Sequence, residues 1–301
     1  MSVAQRSLLS VPASDPAMIE KALATEADAV MIDLEDAVAP DAKAGARKNV
    51  VWGLKELDGG EKALLYRVNA LDTAYFYRDL IEVVEKAGHA LDAVVIPKVN
   101  RPEDLYVVDT LISQIEAAVG LEEGKVRIEA QIERAAGLAN ADAIANATNR
   151  LEALHFSPGD YAASLGMPQT SIGTMDEWDH SYPGHRFHYA MHRIVVAARA
   201  AGIRVLDGPV ADYRDEEGLR ESCVVARSLG FDGKWCIHPS QIGAVNETFS
   251  PTCKEIEWAE RIVEAYEEAN ASGSGSLSVE GQMIDAASIR VARRILNIAE
   301  G

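Results

Sequence analysis

The sequence predicts a (β/α)8 barrel, and two observations support this fold. Short runs rich in apolar and β-branched residues occur eight times along the chain, and each is nearly continuous in apolar residues, as is typical of parallel strands buried on both faces. Longer segments with the apolar spacing of amphipathic helices separate these runs. Eight strand-helix repeats favour a single closed barrel of parallel strands with helices outside.

The predicted elements follow one another in regular order. The eight strands are predicted at residues 6–12, 29–35, 64–69, 93–99, 127–133, 154–158, 204–209 and 234–239. Helical periodicity is clearest at residues 16–24, 75–87, 102–118 and 188–201. A doubly wound open sheet is the competing architecture, but no GxGxxG motif follows the first strand, and eight repeats are many for that fold.

The segment after Pro251 has a different pattern. A helix is predicted from Lys254 to about Asn270, then a Gly/Ser-rich link at residues 271–276, then a last helix from Ile284 to Glu300. Gly/Ser-rich links are flexible connectors. We therefore predict a barrel domain over residues 1–250 and, over residues 251–301, a helical lid or arm that contacts a neighbouring subunit.

Composition excludes several classes of function. The chain of 301 residues carries 47 acidic and 29 basic residues and a net charge of -18, whereas most nucleic-acid-binding proteins need a cationic surface. No apolar run approaches the roughly 18 residues of a membrane span, and the first residues lack the cationic start and apolar core of a signal peptide. We expect a cytoplasmic protein with neither a nucleic-acid nor a membrane partner.

Charged side chains gather at the predicted carboxyl ends of the strands, where barrels of this kind carry their active sites. Several carboxylates at one mouth repel each other unless a cation lies among them, and oxygen ligands favour Mg²⁺ or Mn²⁺. Glu133 and Asp160 end consecutive strands and are the predicted metal ligands. Glu35 and Asp36 are expected to hold metal-bound water or Arg67. The Arg67 guanidinium is expected to bind a carboxylate or an enolate oxygen. Each of these charged groups has a structural alternative, as a loop ion pair or a helix cap.

Two other residue patterns suggest different chemistries. Lys98 ends the fourth predicted strand, where a Schiff-base lysine would make the protein a metal-independent aldolase, but a lysine among carboxylates should stay charged. His185, His188 and His192 form one helical stripe that suggests zinc, yet the segment lacks the His-Glu-x-x-His pattern. Both alternatives are less favoured than the magnesium site.

The motifs resemble those of the citrate lyase β-subunit and malyl-CoA lyase superfamily of Mg²⁺-dependent barrel aldolases, over essentially the whole chain. The blocks that carry the resemblance are DLEDAVAP at 33–40, RVNALDT at 67–73, IPKV at 96–99, IERAAG at 132–137, GDYAASLG at 159–166, DGP at 207–209, GKWCIHP at 233–239 and MIDAAS at 283–288. Within the superfamily, AARAAG at 197–202 and the GKW block are most similar to malyl-CoA and β-methylmalyl-CoA lyases.

The resemblance implies reversible cleavage of (S)-malyl-CoA to acetyl-CoA and glyoxylate, and of β-methylmalyl-CoA to propionyl-CoA and glyoxylate. It implies that Glu133 and Asp160 bind Mg²⁺ and that Arg67 is the catalytic arginine. By the same resemblance Asp285 is an acid/base that one subunit delivers to a neighbour's site. A homotrimer, or a homohexamer of two trimers, is then expected.

The chain departs from the family where coenzyme A is expected to bind. Asp15 stands where these lyases commonly have a basic residue, and Ser10 stands where an aromatic residue is often found. Lys21 remains as the expected contact to coenzyme A. Alternative functions are a citramalyl-CoA lyase, a malyl-CoA thioesterase, a citrate lyase β-type subunit that is not catalytic alone, and a metal-dependent aldolase for small free acids.

Overall fold

A computed structural model describes residues 5–179, 185–271, 277–279 and 282–300. Eight parallel strands form a closed barrel in sequence order, and the eighth strand pairs with the first. The strands are β1 (Ser7–Pro12), β2 (Ala29–Asp33), β3 (Ala63–Arg67), β4 (Ala93–Ile96), β5 (Arg127–Ile132), β6 (Leu151–Phe156), β7 (Arg204–Asp207) and β8 (Gly233–Cys236). The predicted (β/α)8 fold is confirmed.

The helices of the barrel are α1 (Pro16–Leu23), α2 (Lys43–Glu56), α3 (Phe76–Ala87), α4 (Pro102–Val119), α5 (Ala135–Ala139), α6 (Ala141–Ala145), α7 (Pro158–Leu165), α8 (His188–Ala201), α9 (Glu216–Leu229) and α10 (Ile242–Phe249). Proline at the first turn starts α1, α4 and α7, since its missing N–H has no partner at a helix start anyway. The predicted helices near 16–24, 75–87, 102–118 and 188–201 are all present.

The strands are buried on both faces, toward the inside of the barrel and toward the helices. This burial explains why apolar residues follow one another along the strands and do not alternate with polar ones. Every residue of β2, β4 and β8 is buried. Gly233 closes the barrel, because a Cβ at this position would lie 2.1 Å from the backbone oxygen of Gln5. A side chain at this position would collide with the backbone just before β1, so glycine allows the close approach at this end of the strand pair.

The chain separates into two compact units, one of residues 5–246 and another that contains the residues from Glu247 onward. The second unit holds α11 (Cys253–Ala271), a hairpin of β9 (Leu277–Val279) and β10 (Gln282–Ile284), and α12 (Ala286–Glu300). Buried Ala259, Ile262 and Ile289 belong to its apolar cluster.

Two details of the predicted carboxyl-terminal segment are wrong. Ile284 ends a strand instead of starting the last helix, and Ala271 still belongs to the helix before the predicted link. The rest of that link, residues 272–276, lies outside the described residues. Among the helices that the structure describes, none is both long and apolar enough to cross a membrane.

Candidate active site

Arg67 and Asp33 form the centre of the barrel mouth. They end adjacent strands and stand opposite each other in the register of β2 and β3. Arg67 donates from Nε to Asp33 Oδ1 at 2.7 Å and from NH2 to Asp33 Oδ2 at 2.6 Å, so the guanidinium is held by a planar two-point contact. Although burial opposes ionisation, this contact holds the pKa of the Asp33 carboxyl below its usual value. The arginine is therefore permanently charged and fixed in orientation.

Glu35 follows β2 and brings a second buried carboxylate to the mouth. Its Oε1 accepts a hydrogen bond from Lys98 Nζ at 2.6 Å, and its Oε2 lies 3.0 Å from Arg67 NH1. That second oxygen is buried and accepts no hydrogen bond in the described structure. Burial raises the pKa of Glu35, and Arg67 only partly offsets the effect. The predicted contact between Glu35 and Arg67 is present.

Lys98 joins two of the carboxylates through a strained backbone. Its φ of 55° is the only positive value at a non-glycine residue in the described parts of the chain. This conformation points the Lys98 amide at Glu133 Oε1, 2.7 Å away, while the ammonium group binds Glu35. Against the effect of burial, these carboxylates raise the pKa of Lys98. A charged lysine is a poor Schiff-base nucleophile, so this alternative is not favoured.

Glu133 is fully buried and surrounded by other acidic groups. Its Oε2 accepts from Gln131 at 3.1 Å. Burial and the nearby carboxylates of Glu35 and Asp160 raise the pKa of Glu133 to about 7. Asp160 lies half-buried in the first turn of α7, with one oxygen 3.4 Å from Ser157 Oγ. The two predicted metal ligands are therefore close enough for their charges to repel each other.

This arrangement suits a divalent cation of the magnesium type. The raised pKa of Glu133 marks negative charge that Arg67 and Lys98 offset only in part, and Glu35 Oε2 accepts no hydrogen bond although it lies beside Arg67. Within the described residues, no three His, Cys, Asp or Glu side chains are arranged to hold a metal by themselves. Magnesium commonly uses one or two carboxylates and completes its shell with water and substrate. The stripe of His185, His188 and His192 does not form a zinc site.

Three other predicted residues are placed away from this cluster or at its edge. Asp36 is exposed and lies 3.4 Å from Lys98 Nζ rather than on Arg67. Lys21 is exposed in the last turn of α1, and Asp15 caps the start of that helix by accepting from Ala17 N at 3.0 Å. The unexpected acidic residue thus has a local structural role, as a cap that satisfies backbone amides.

Asp285 lies in the second unit, just before α12. One oxygen accepts hydrogen bonds from the backbone amides of Ala287 and Ser288, both at 2.9 Å. These contacts, led by those of Ser288, lower the pKa of the Asp285 carboxyl. The side chain is fully exposed to solvent in one chain, and it acts there as a helix N-cap.

Sequence reasoning missed the partners that orient the site. Asp33 was not predicted as the partner of Arg67, although the two residues pair directly at the ends of neighbouring parallel strands. Lys43 also was missed: its buried ammonium donates to the carbonyl oxygens of Leu34 at 2.8 Å and Glu35 at 2.6 Å. No local pattern marks a lysine on a neighbouring helix as the support of a strand-end loop.

Known proteins are similar to this chain along most of its length. Residues 6–239 match the family model of the HpcH/HpaI aldolase/citrate lyase proteins. The chain is 43% identical, over 96% of its length and 92% of the relative, to an L-malyl-CoA/β-methylmalyl-CoA lyase of Cereibacter sphaeroides. It is 38% identical, over 98% of its length and 93% of the relative, to citrate lyase subunit β of Leuconostoc mesenteroides. The crystal structure of CitE from Mycobacterium tuberculosis in complex with magnesium, acetoacetate and coenzyme A superposes with a TM-score of 0.78 at 30% identity, covering 99% of both chains.

Proposed function

Because this chain belongs to the HpcH/HpaI aldolase/citrate lyase family, we propose that it reversibly cleaves (S)-malyl-CoA to acetyl-CoA and glyoxylate. β-Methylmalyl-CoA, which would give propionyl-CoA and glyoxylate, is the second proposed substrate. The observation that carries the proposal is the juxtaposition at one mouth of a fixed guanidinium, Arg67, with the mutually repelling carboxyl groups of Glu35 and Glu133.

The cofactor in this proposal is Mg²⁺ or Mn²⁺, held by Glu133 and Asp160. When bound there, the ion would supply Lewis-acid polarisation of the substrate's carboxylate and adjacent hydroxyl. Lys98 and Gln131 keep the Glu133 carboxylate oriented through hydrogen bonds to both of its oxygens. Glu35 Oε2 accepts no hydrogen bond, so it is available to orient a water molecule bound to the metal ion.

Arg67 has the role of stabilising charge on the leaving fragment. The substrate hydroxyl gives up its proton to water, and its oxygen becomes the carbonyl oxygen of glyoxylate as the carbon-carbon bond breaks. The electron pair of that bond moves into the thioester, where negative charge develops on the enolate oxygen. A guanidinium locked by Asp33 meets that charge without reorganising, which is the main source of electrostatic catalysis. The enolate carbon then takes a proton, and we assign the delivery of this proton to Asp285.

The proposal includes an oligomer, because Asp285 belongs to the unit that follows the barrel. We propose a homotrimer or a homohexamer of two trimers, with residues 251–301 as a lid or arm that brings Asp285 to a neighbour's mouth. Its exposure in one chain and its position at the start of α12 support delivery to a second surface. Lys21 is the proposed contact to coenzyme A.

The test is a substrate panel on the purified protein with Mg²⁺. Malyl-CoA, β-methylmalyl-CoA and citramalyl-CoA are offered separately, while glyoxylate, pyruvate and free CoA are followed, with Arg67→Lys as the control for contaminating activity. Glyoxylate without free CoA is expected. Release of pyruvate would indicate a citramalyl-CoA lyase, and release of free CoA would indicate a thioesterase. If none of the CoA esters is turned over, the protein is a subunit that needs an acyl carrier protein. Malate is offered as a further substrate in the absence of CoA, and its cleavage would favour a free-acid aldolase.

A further inference from the structure

The guanidinium of Arg67 lies over an aromatic ring as well as beside carboxylates. Asp33 and Glu35 hold its nitrogen atoms, and Arg67 Cζ lies over the indole ring of Trp235 on β8, 5.4 Å from the ring centroid. A cation at this distance is attracted by the π-electrons of an indole. Both side chains are at least 93% buried, so water does not weaken the attraction.

Trp235 is itself fixed by hydrogen bonding. Its Nε1 lies 2.6 Å from His155 Nδ1, and the two rings meet edge to face at 79°. An indole nitrogen can only donate, so His155 Nδ1 must accept and the imidazole proton must be on Nε2. His155 Nε2 then donates this proton in a hydrogen bond to the carboxylate oxygen Glu129 Oε2, 2.8 Å away.

The series of contacts continues below His155. Glu129 also accepts from Arg204 NH2, at 2.9 Å. Glu129 on β5 and His155 on β6 are both fully buried inside the barrel. Buried polar groups of this kind are costly unless every partner is satisfied, so their presence in a barrel core calls for an explanation. The proposed chemistry uses neither His155, Glu129 nor Trp235.

We propose that Trp235 is a positioning residue for Arg67, and that His155, in the tautomer set by Glu129, fixes the orientation of Trp235. The inference rests on the proposed function, because Arg67 must meet the enolate oxygen. The carboxylates hold the nitrogen atoms of the guanidinium, and the indole holds the charged centre over its ring. The position of this centre matters when charge develops on the enolate, so loss of the indole lowers kcat and leaves the KM for the CoA ester nearly unchanged.

The test is a double-mutant cycle between positions 67 and 235. In the wild-type background, Trp235→Leu is expected to lower kcat about 10- to 30-fold, the size of a desolvated cation–π contact, with KM changed less than about twofold. In the Arg67→Lys background the same substitution should cost no more than about threefold, since the planar group on which it acts is gone. Trp52→Leu, which removes a half-buried indole from α2, is the matched control and should leave kcat unchanged.

A purely structural role for Trp235 predicts a different result. The loss of kcat would then have the same size in both backgrounds, and that outcome, or a folded Trp235→Leu protein with near-normal kcat, overturns the proposal. If Trp235→Leu does not fold, the cycle is made with Trp235→Phe, which keeps an aromatic face and should lose only about threefold. An additive Phe cycle with a loss above tenfold would also overturn it.

His155 is tested by two replacements. Glutamine has both an acceptor for the indole N–H and a donor for Glu129, so His155→Gln should keep most of kcat, whereas His155→Leu should resemble Trp235→Leu. Equal kcat values for the two His155 variants would remove His155 from the proposal. A wild-type protein that cleaves none of the CoA esters contradicts the proposed function instead. The 67/235 coupling is then measured by urea unfolding, and no coupling there overturns the contact itself.

Discussion

Glu133 in the barrel and Asp285 in the second unit are both acidic groups of the proposed site, yet their surroundings are opposite. Glu133 is fully buried among carboxylates, and its pKa is raised to about 7. Asp285 is exposed, and hydrogen bonds from Ser288 and Ala287 lower its pKa. Folding of the barrel alone creates the electrostatic condition that a cation would relieve. A single chain does not create the condition that would make Asp285 a good proton donor.

The difference shows how the two halves of the proposed site must be completed. A general acid works best with a pKa near the working pH, and an exposed capping aspartate is far from that value. Burial of Asp285 against another surface would raise its pKa, because desolvation disfavours the charged form. In the proposed site, a metal ion would complete the barrel half and a second protein surface would complete the half that contains Asp285.

The largest expected effect comes from removing a predicted metal ligand. Asp160→Ala should lower kcat by about 10³-fold or more, since the remaining carboxylates cannot restore the coordination. The melting temperature should stay constant or rise, because a group that repels Glu133 has been removed. Activity and thermal unfolding are measured on the same preparation. Full turnover by the wild-type enzyme in excess EDTA would contradict the metal assignment.

The second largest effect on kcat is expected from replacing the planar guanidinium of Arg67. Arg67→Lys should lower kcat about 10²-fold, because lysine lacks the planar fork that Asp33 holds. Arg150→Lys is a matched control, since Arg150 is equally buried and pairs with Glu116 at 2.6 Å. It should cost stability without changing kcat. Near-normal turnover by Arg67→Lys would show that any positive charge suffices.

Asp285 is tested by separating its capping role from its acid role. Asparagine caps a helix as well as aspartate does but carries no proton for catalysis. Asp285→Asn should therefore lose about 10²-fold in kcat while it keeps the melting temperature, and Asp285→Ala should lose both. If Asp285→Asn is fully active, the residue is a cap only.

A mixing experiment then tests whether Asp285 acts between subunits. Asp160→Ala and Asp285→Asn proteins are incubated together under conditions where labelled subunits exchange. Some activity should return, because a mixed oligomer pairs an intact metal site with an intact Asp285 from its neighbour. Subunit exchange without any return of activity, or an active monomer, would place Asp285 within its own chain or outside the mechanism.

The smallest effect is on stability in the absence of metal. Glu133 keeps its proton up to about pH 7 when folded, whereas an unfolded glutamate releases it near 4.5. The folded state therefore binds more protons between these values, and the free energy of unfolding falls as pH rises from about 4.5 through 7. The contribution is on the order of 3 kcal/mol. Urea unfolding in EDTA of wild type and Glu133→Gln at pH 5 and 8 measures it, and identical pH dependence would contradict the raised pKa.

The fold was predictable because parallel strands buried on both faces leave an unmistakable pattern. All eight strands were placed correctly, although most end one to three residues earlier than predicted: β2 ends at Asp33 and β4 at Ile96. The pairing between strands ends before the polar residues that form the mouth, such as Glu35 and Lys98. The hairpin of β9 and β10 was missed, since strands of three residues are too short to show any periodicity.

The sequence predicts which residues belong to the candidate site better than it predicts which of them touch each other. Strand-end charges indicated Arg67, Glu35, Glu133 and Asp160, and the structure brings these together. The positive φ of Lys98 was not predictable, because glycine rather than lysine normally marks such a position. His155 and Glu129 did leave a signal, as ionisable residues inside predicted strands, but only the closed barrel shows that they meet.

The position of Trp235 on the last strand has a consequence for synthesis of the protein. Arg67 and its carboxylate partners emerge from the ribosome early, but the indole that lies against Arg67 belongs to β8 and arrives only when that strand inserts between β7 and β1. Contacts between residues so far apart in sequence form late and slowly. A nascent or truncated chain therefore displays the charged groups of the mouth without the surface that orients its arginine, and it acquires a competent site only in the step that closes the barrel.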